Sequence, residues 1–469
     1  MEFWIGVEDF AKIRRAKICV NHYTVLVGAN NSGKTFFMQL VQGVGERVEA
    51  LIDDFPDDIL KGYYSSSVTK FRISRRNIQK VIEVINNRLN EEKEDIVRDT
   101  FGKDIPIGKL YIDIVIKENE SYVSAQSSDL QVLKDQAKSS NDKPSILDMM
   151  LKQFNTTQNE LEFVIIYKED TDTKHRDFLS FIIRSSDGRD KTGKELLNVF
   201  IQSTTLFMPA SRTGLLLLYR DFFANRADEA IVYGIQNNAL QQKQRNYGGL
   251  SQPVYKFLRF LQTYSERQAS GAENEDLQFF ETHLLAGHIS STQNGFMYQP
   301  EDGQNDIPMY LASSMINEIA PLSMVLNSAN TYQRLIIDEI EASLHPEKQA
   351  ELVKFLNRLS NRGMKLIVST HSDTIASKIN NLYSISEYIE RCSDREKEEL
   401  MQEFGLERVE LINPEELFVY EFIVQNDGKS IVQRVPRNKE TGFQFDQFTN
   451  SAMKIYDEAF KIGKMIQKK

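Results

Sequence analysis

Between an apolar run, Tyr23-Thr24-Val25-Leu26-Val27, and a helix-like stretch from Phe36 to Val41 stand the residues Gly28-Ala29-Asn30-Asn31-Ser32-Gly33-Lys34-Thr35. Few folds accept such a strand, glycine-rich loop and helix in that order. The loop matches G-x-x-x-x-G-K-[ST], the P-loop. Its glycines let the backbone curl so that the N–H groups of Asn30, Asn31, Ser32 and Gly33 point inward at phosphate oxygens. The following helix adds the positive end of its dipole. The pattern puts Lys34 at the β- and γ-phosphates of a nucleoside triphosphate and the Thr35 hydroxyl on Mg²⁺. A chance glycine-rich turn is the alternative, and the strand–helix context weighs against it.

A P-loop alone does not set the class; its partner motifs do. Far downstream, Leu335-Ile336-Ile337 runs into Asp338-Glu339. An apolar strand ending in two carboxylates has the form of a Walker B element, with Asp338 in the Mg²⁺ shell and Glu339 polarising the attacking water. Taken alone, the pair could equally be two solvated acids. Ala342-Ser343-Leu344-His345-Pro346 follows, then a helix from Glu347 to Leu359, then a second apolar strand, Leu366 to Thr370, ending at His371-Ser372. A polar residue at the carboxyl end of such a strand lies where open α/β sheets bind ligands. The order P-loop, Asp-Glu pair, turn and histidine fits an ABC-type ATPase, with His371 as the switch histidine.

The run Leu335 to Pro346 resembles the Walker B and D-loop of the overcoming-lysogenization-defect (OLD) and AAA-15-type ATPases, relatives of Rad50, RecF and SMC heads. Phe207-Met208-Pro209-Ala210-Ser211-Arg212 is similar to that family's "PAxR" segment, and Ala312-Ser313-Ser314-Met315-Ile316-Asn317-Glu318 to its degenerate signature. Size, the G-x-N-N-S-G-K-T loop and the lack of an attached nuclease resemble the stand-alone ATPase subunits of PARIS anti-phage defence systems. The resemblance implies an α/β fold: an ABC-type P-loop ATPase head with a mixed β-sheet core, an antiparallel β-layer and an inserted helical lobe. It implies ATP and Mg²⁺ as ligands, with Asp338 and Thr35 holding the metal. It implies Glu339 and His371 as catalytic groups, and a homodimer in which Ser313 and Ser314 close on the γ-phosphate held by the partner, with higher assembly up to a hexamer left open. It implies a phage trigger and a separate effector, a TOPRIM-type nuclease, under its control. No Gln stands at the expected Q-loop position; Ser211 and Arg212 do. Arg212 either reads phosphate or caps a helix end, and both readings stay open.

Charge and composition narrow the partners. The net charge of −10 opposes non-specific nucleic-acid binding. Two short basic runs, Phe71 to Arg76 and Lys12 to Arg15, read first as solvated faces. Arg14 or Arg15 could instead face the nucleotide. A DNA-repair ATPase of the RecF or Rad50-head type is the rival reading. A transporter's nucleotide-binding subunit and a nucleotide-dead assembly protein fit less well. Only two cysteines occur, with no C-x-x-C. That leaves no disulfide framework or zinc hook and suits a reducing cytoplasm. No apolar run approaches the ~20 residues of a membrane span, and no secretion signal is visible. His22, His175, His283 and His288 are scattered and read as structural.

The expected organisation is an ATPase core in 1–50 and 300–385, inserted helices and antiparallel strands in 51–210, a helical lobe in 211–299, and a C-terminal α/β extension in 386–469. Ile78, Val81, Ile82, Ile85 and Leu89 share one face of a predicted helix. Leu110–Ile116, Leu161–Tyr167 and Phe178–Arg184 read as strands. Asn426-Asp427-Gly428 is the turn of a predicted hairpin, and a closing helix carries Met453, Tyr456 and Phe460.

Overall fold

A computed structural model describes residues 2–53, 63–65, 68–71, 75–115, 120–125, 161–170, 176–185, 204–236, 247, 249–266, 274–293, 295–303, 305–438, 442–445 and 458. Arg72 to Ser74 of one basic run and the closing helix with Met453, Tyr456 and Phe460 lie outside the described residues. The chain divides into two compact units.

The larger unit comprises Trp4–Val44, Asn90–Tyr111 and Thr204–Lys469. Its nine-stranded sheet is built from β1 (Glu2–Phe10), β2 (Ile13–Cys19), β3 (Tyr23–Gly28), β4 (Lys109–Val115), β5 (Thr205–Met208), β6 (Arg334–Ile337), β7 (Lys365–Thr370), β8 (Leu417–Val424) and β9 (Ser430–Arg434). The spatial order is β5-β6-β7-β3-β8-β9-β2-β1-β4. The first five strands are mutually parallel, while β8–β9 and β1–β2 are antiparallel hairpins. It is therefore a mixed sheet, as the resemblance implies. Every residue of β3 and β6 is buried, the near-continuous apolar pattern that parallel strands need when helices cover both faces.

Five helices matter for the site: α1 (Lys34–Asp53), α2 (Arg212–Gln236), α3 (Ser314–Leu326), α4 (Pro346–Asn361) and α5 (Asp373–Ile389). Leu352, Val353, Phe355 and Leu356 of α4 and Ile375, Ile379 and Leu382 of α5 are buried in one cluster with Val25, Leu335 and Val368 of the strands. Each such side chain contributes about 1.5–3 kcal/mol of burial. α4 starts as the sequence suggests, with Pro346 in its first turn after His345, where proline's missing N–H costs nothing. A three-stranded antiparallel sheet, Gly287–Thr292, Gly295–Pro300 and Ile307–Pro308, leads the chain into α3.

Two expectations are refined here. The predicted hairpin around Asn426-Asp427-Gly428 forms, but β8 and β9 join the main sheet, with β8 directly beside the P-loop strand. An alternating hairpin pattern fixes its own turn, not which strand it docks against. The helix predicted to carry Ile78 to Leu89 forms as Arg75–Glu91, and a second helix, Lys93–Phe101, follows it. Among the described residues no helix is long and apolar enough to cross a membrane.

The smaller unit comprises Met1–Phe3, Gly45–Leu89 and Ile112–Ser203. Its five-stranded sheet runs Tyr63–Ser65, Val68–Phe71, Glu120–Ala125, Leu161–Asp170, Arg176–Ser185, antiparallel throughout. This antiparallel layer takes up the predicted strands Leu161–Tyr167 and Phe178–Arg184, whereas Leu110–Ile116, also expected in such a layer, lies at the edge of the nine-stranded sheet as β4. The Asn86 side-chain amide donates to the Ile112 carbonyl at 3.0 Å and accepts from its N–H at 2.7 Å, pairing helix to strand as a neighbouring strand would.

Candidate functional site

Parallel register sets the site. Val27 stands opposite Thr370, and Ile337 opposite Val368, so β3, β6 and β7 end together. The P-loop, the Asp338-Glu339 pair and His371 all leave from that one edge, the ligand edge of an open α/β sheet.

The loop has the backbone its sequence requires. Asn31 (φ 62°) and Gly33 (φ 102°) are left-handed, and a Cβ on Gly33 would come within 2.8 Å of the Ile13 side chain. Asn30 and Asn31 are exposed, whereas Ser32, Gly33 and Lys34 are buried. Lys34 Nζ folds across the loop, donating to the carbonyls of Gly28 (2.8 Å) and Ala29 (2.9 Å). Burial pulls its pKa down, and Asp338, Glu339 and Glu341 counter that pull. The amine is thus held for anionic oxygens inside a ring of main-chain dipoles.

Thr35 Oγ1 donates to Asp338 Oδ2 at 2.6 Å, joining residues 303 positions apart. Asp338 is buried, and its other oxygen accepts from Ser369 Oγ at 2.5 Å. Ser369 Oγ accepts in turn from the Glu339 N–H at 2.8 Å. A hydroxyl beside a carboxylate is a hard oxygen donor set, which suits Mg²⁺; Thr35 and Asp338 fit that metal. Glu339 is only partly buried and has a left-handed backbone (φ 48°), as does Ser343 (φ 59°). Non-glycine residues held there cost about 1–3 kcal/mol and concentrate at functional sites.

His371 is exposed at the end of β7. Its N–H donates to Glu341 Oε1 at 2.7 Å, and its Nδ1 lies 3.2 Å from the same oxygen. Ser372 Oγ donates to Gln349 Oε1 at 2.5 Å, and Gln349 Nε2 donates to the Leu344 carbonyl at 2.9 Å. Sequence reasoning singled out none of Ser369, Glu341 or Gln349. The signal was available for Glu341 alone: a third acid two positions after Glu339 in a run that must turn back over the strand end.

Arg212 opens α2 at 2% exposure. Its Nη1 donates to the Pro209 (3.1 Å) and Asp338 (2.7 Å) carbonyls, and its Nη2 to the Glu339 carbonyl (3.1 Å). Nε donates to the Glu318 carbonyl and pairs with Glu318 Oε1, both at 3.0 Å. The guanidinium therefore ties the Walker B end to α3. Burial lowers its pKa, against Glu318 and Asp338. Ser313 caps α3 by accepting from the Ile316 N–H at 3.3 Å, and Ser313 and Ser314 are both exposed. Among the described residues no hydrogen bond joins these serines to the P-loop. Arg14 is joined to Asp427 in the β8–β9 turn.

A family model described as "AAA domain, putative AbiEii toxin, Type IV TA system" matches residues 23–377, well over half of the chain. The chain belongs to this AAA-domain family. The matched span of the AAA domain takes in the P-loop, Arg212, both signature serines, the Asp338-Glu339 pair and His371. No curated protein matches the chain. Several SMC heads are similar to it. One is an SMC head bound to the C-terminal winged-helix domain of ScpA (12% identity, TM-score 0.35, covering 93% of this chain and 98% of that one). Another is the SMC head domain from Thermotoga maritima (11%, 0.31, 93% and 100%). A third is an SMC head with an extended coiled coil bound to the C-terminal domain of ScpA from Pyrococcus furiosus (11%, 0.34, 97% and 98%).

Proposed function

We propose that this chain binds and hydrolyses ATP and uses the cycle as a switch over a separate effector in anti-phage defence. The observation that supports it best is the 2.6 Å bond from Thr35 to Asp338 at the end of the sheet, with Glu339 and His371 leaving the same edge. In this reading the N–H groups of Asn30 to Gly33 and the Lys34 ammonium bind the phosphates. Thr35 and Asp338 would hold Mg²⁺, which supplies charge neutralisation at the phosphate oxygens. Glu339 orients the attacking water and accepts its proton. His371 contacts the γ-phosphate side. Ser313 and Ser314, at an exposed helix N-terminus, are placed to meet an anion brought by a second copy, so the working unit is a homodimer or a larger ring.

The effector half of the reading rests on the sequence resemblance to defence ATPases, together with a family whose description names a toxin–antitoxin system. The effector is then a nuclease of the TOPRIM type, released or activated when a phage trigger perturbs the cycle. Glu339→Gln should still bind ATP and turn over about 10²–10⁴-fold slower. Turnover at the wild-type rate removes Glu339 from the mechanism. Co-purification with the products of neighbouring genes, with and without ATP, tests the switch. Capture of a nuclease that leaves on turnover supports it, and capture of DNA alone overturns it.

A further inference from the structure

We propose that Glu341 is a positioning residue for His371, holding its main chain by a hydrogen bond and standing 3.2 Å from Nδ1, so that Nε2 is the ring nitrogen left to act at the nucleotide. The inference rests on the role given to His371 above.

Three observations carry it. First, Glu341 Oε1 receives both the His371 N–H (2.7 Å) and the approach of its Nδ1 (3.2 Å), so one oxygen holds the main chain and the ring together. A carboxylate oxygen only accepts. A carboxylate oxygen that close to Nδ1 favours the tautomer with the proton on Nδ1, which leaves the lone pair on Nε2. Second, the carboxylate is nine-tenths buried while the imidazole it holds is 38% exposed. The buried partner is the fixed one, and the exposed ring is the part available to a ligand. Third, Glu341 Oε2 is buried and accepts no bond from any described group. An unsatisfied buried carboxylate oxygen carries a desolvation cost that no partner offsets, and the chain bears it directly beside the His371 ring.

The geometry also joins two segments. Glu341 belongs to the turn after β6, and His371 to the end of β7. Gln349 makes a second tie between the same segments, from Ser372 to the Leu344 carbonyl. Whatever shifts the turn at 341–344 also re-aims His371. A histidine held by a neighbouring buried carboxylate in this way has a defined tautomer and ring plane.

The test uses the full chain and compares steady-state ATP turnover of wild type, Glu341→Ala, Glu341→Gln, His371→Ala and the Glu341→Ala/His371→Ala double variant. Glu341→Ala should lower kcat roughly 10–100-fold, the scale of a misplaced catalytic group, with KM for ATP within about twofold. Glu341→Gln keeps an acceptor oxygen and should recover most of the rate. The double variant should be no slower than His371→Ala alone, because Glu341 acts through that ring. Multiplying losses, or a change confined to KM, overturn the proposal while leaving the role of His371 intact. His371→Ala at the wild-type rate removes the role of His371 itself, and the proposal with it. A second readout needs no Glu341 variant. Ring ¹⁵N spectra of histidine-labelled wild type, assigned with His371→Ala, should show a protonated Nδ1 on His371; an unprotonated Nδ1 overturns the proposal.

Discussion

Replacing Arg212 by alanine separates two roles for this side chain, a brace inside the protein and a reader of phosphate. As a brace, Arg212 carries an ion pair to Glu318 in which both side chains are under 5% exposed. It also donates to four main-chain carbonyls, at Pro209, Glu318, Asp338 and Glu339. Truncation leaves Glu318 charged, buried and short of its cation. Its Oε2 keeps the Thr213 N–H (3.1 Å) and hydroxyl (2.6 Å), which softens the loss without removing it. Breaking one side of such a buried pair costs about 3–5 kcal/mol. At about 2 °C per kcal/mol, the thermal midpoint should fall ~6–10 °C. Differential scanning fluorimetry on purified Arg212→Ala, in parallel with an ATP titration, measures both quantities. A midpoint within about 1 °C of wild type, with ATP affinity lost, refutes the brace and gives Arg212 to the phosphates. The brace predicts the reverse order: a large midpoint loss, and ATP binding retained at temperatures where the variant is folded.

Gly28→Ala should prevent a stable fold, because the residue sits at φ 138° and an added Cβ would lie 2.7 Å from the Phe422 carbonyl of β8. Expression as a folded protein with wild-type ATP binding would contradict that geometry. His288 has its pKa raised, first by the 2.5 Å hydrogen bond to Glu281. A raised folded value means the contribution is fully present below the unfolded pKa of about 6.5 and is lost as pH rises through the folded one. The urea-midpoint gap between wild type and Glu281→Gln should accordingly be widest near pH 6 and narrow at alkaline pH; a gap that ignores pH rules this pair out as the cause.

The residues that chemistry demands were legible in the sequence, because their types and local spacing are fixed by what they hold. Gly33, Lys34 and Thr35 must follow a strand and open a helix, and Asp338 and Glu339 must end one. The two strands that carry them, β3 and β6, read as largely apolar runs, as buried parallel strands do. What stayed hidden depends on distance rather than pattern. Ser369 is an ordinary strand serine until β6 is laid beside β7. Glu341 is one of several acids until the turn folds it under His371. Arg212 shows both of its readings in sequence, and only the main-chain carbonyls around it give the guanidinium its surroundings. The place of β8 was hidden for the same reason, since a hairpin's local signals say nothing about its neighbours across the sheet.

That place has a consequence for how the protein is made. The P-loop strand β3 ends at Gly28, and one of its two neighbours in the sheet, β8, begins at Leu417. Roughly 390 residues separate them, so at about 5–20 residues per second a ribosome needs ~20–80 s to supply the second flank. Throughout that interval a strand that is wholly buried in the finished fold has an open edge, the condition under which nascent chains pair wrongly or recruit chaperones. The loop at the end of β3 therefore leaves the ribosome roughly 390 residues ahead of the strand that closes the sheet beside it.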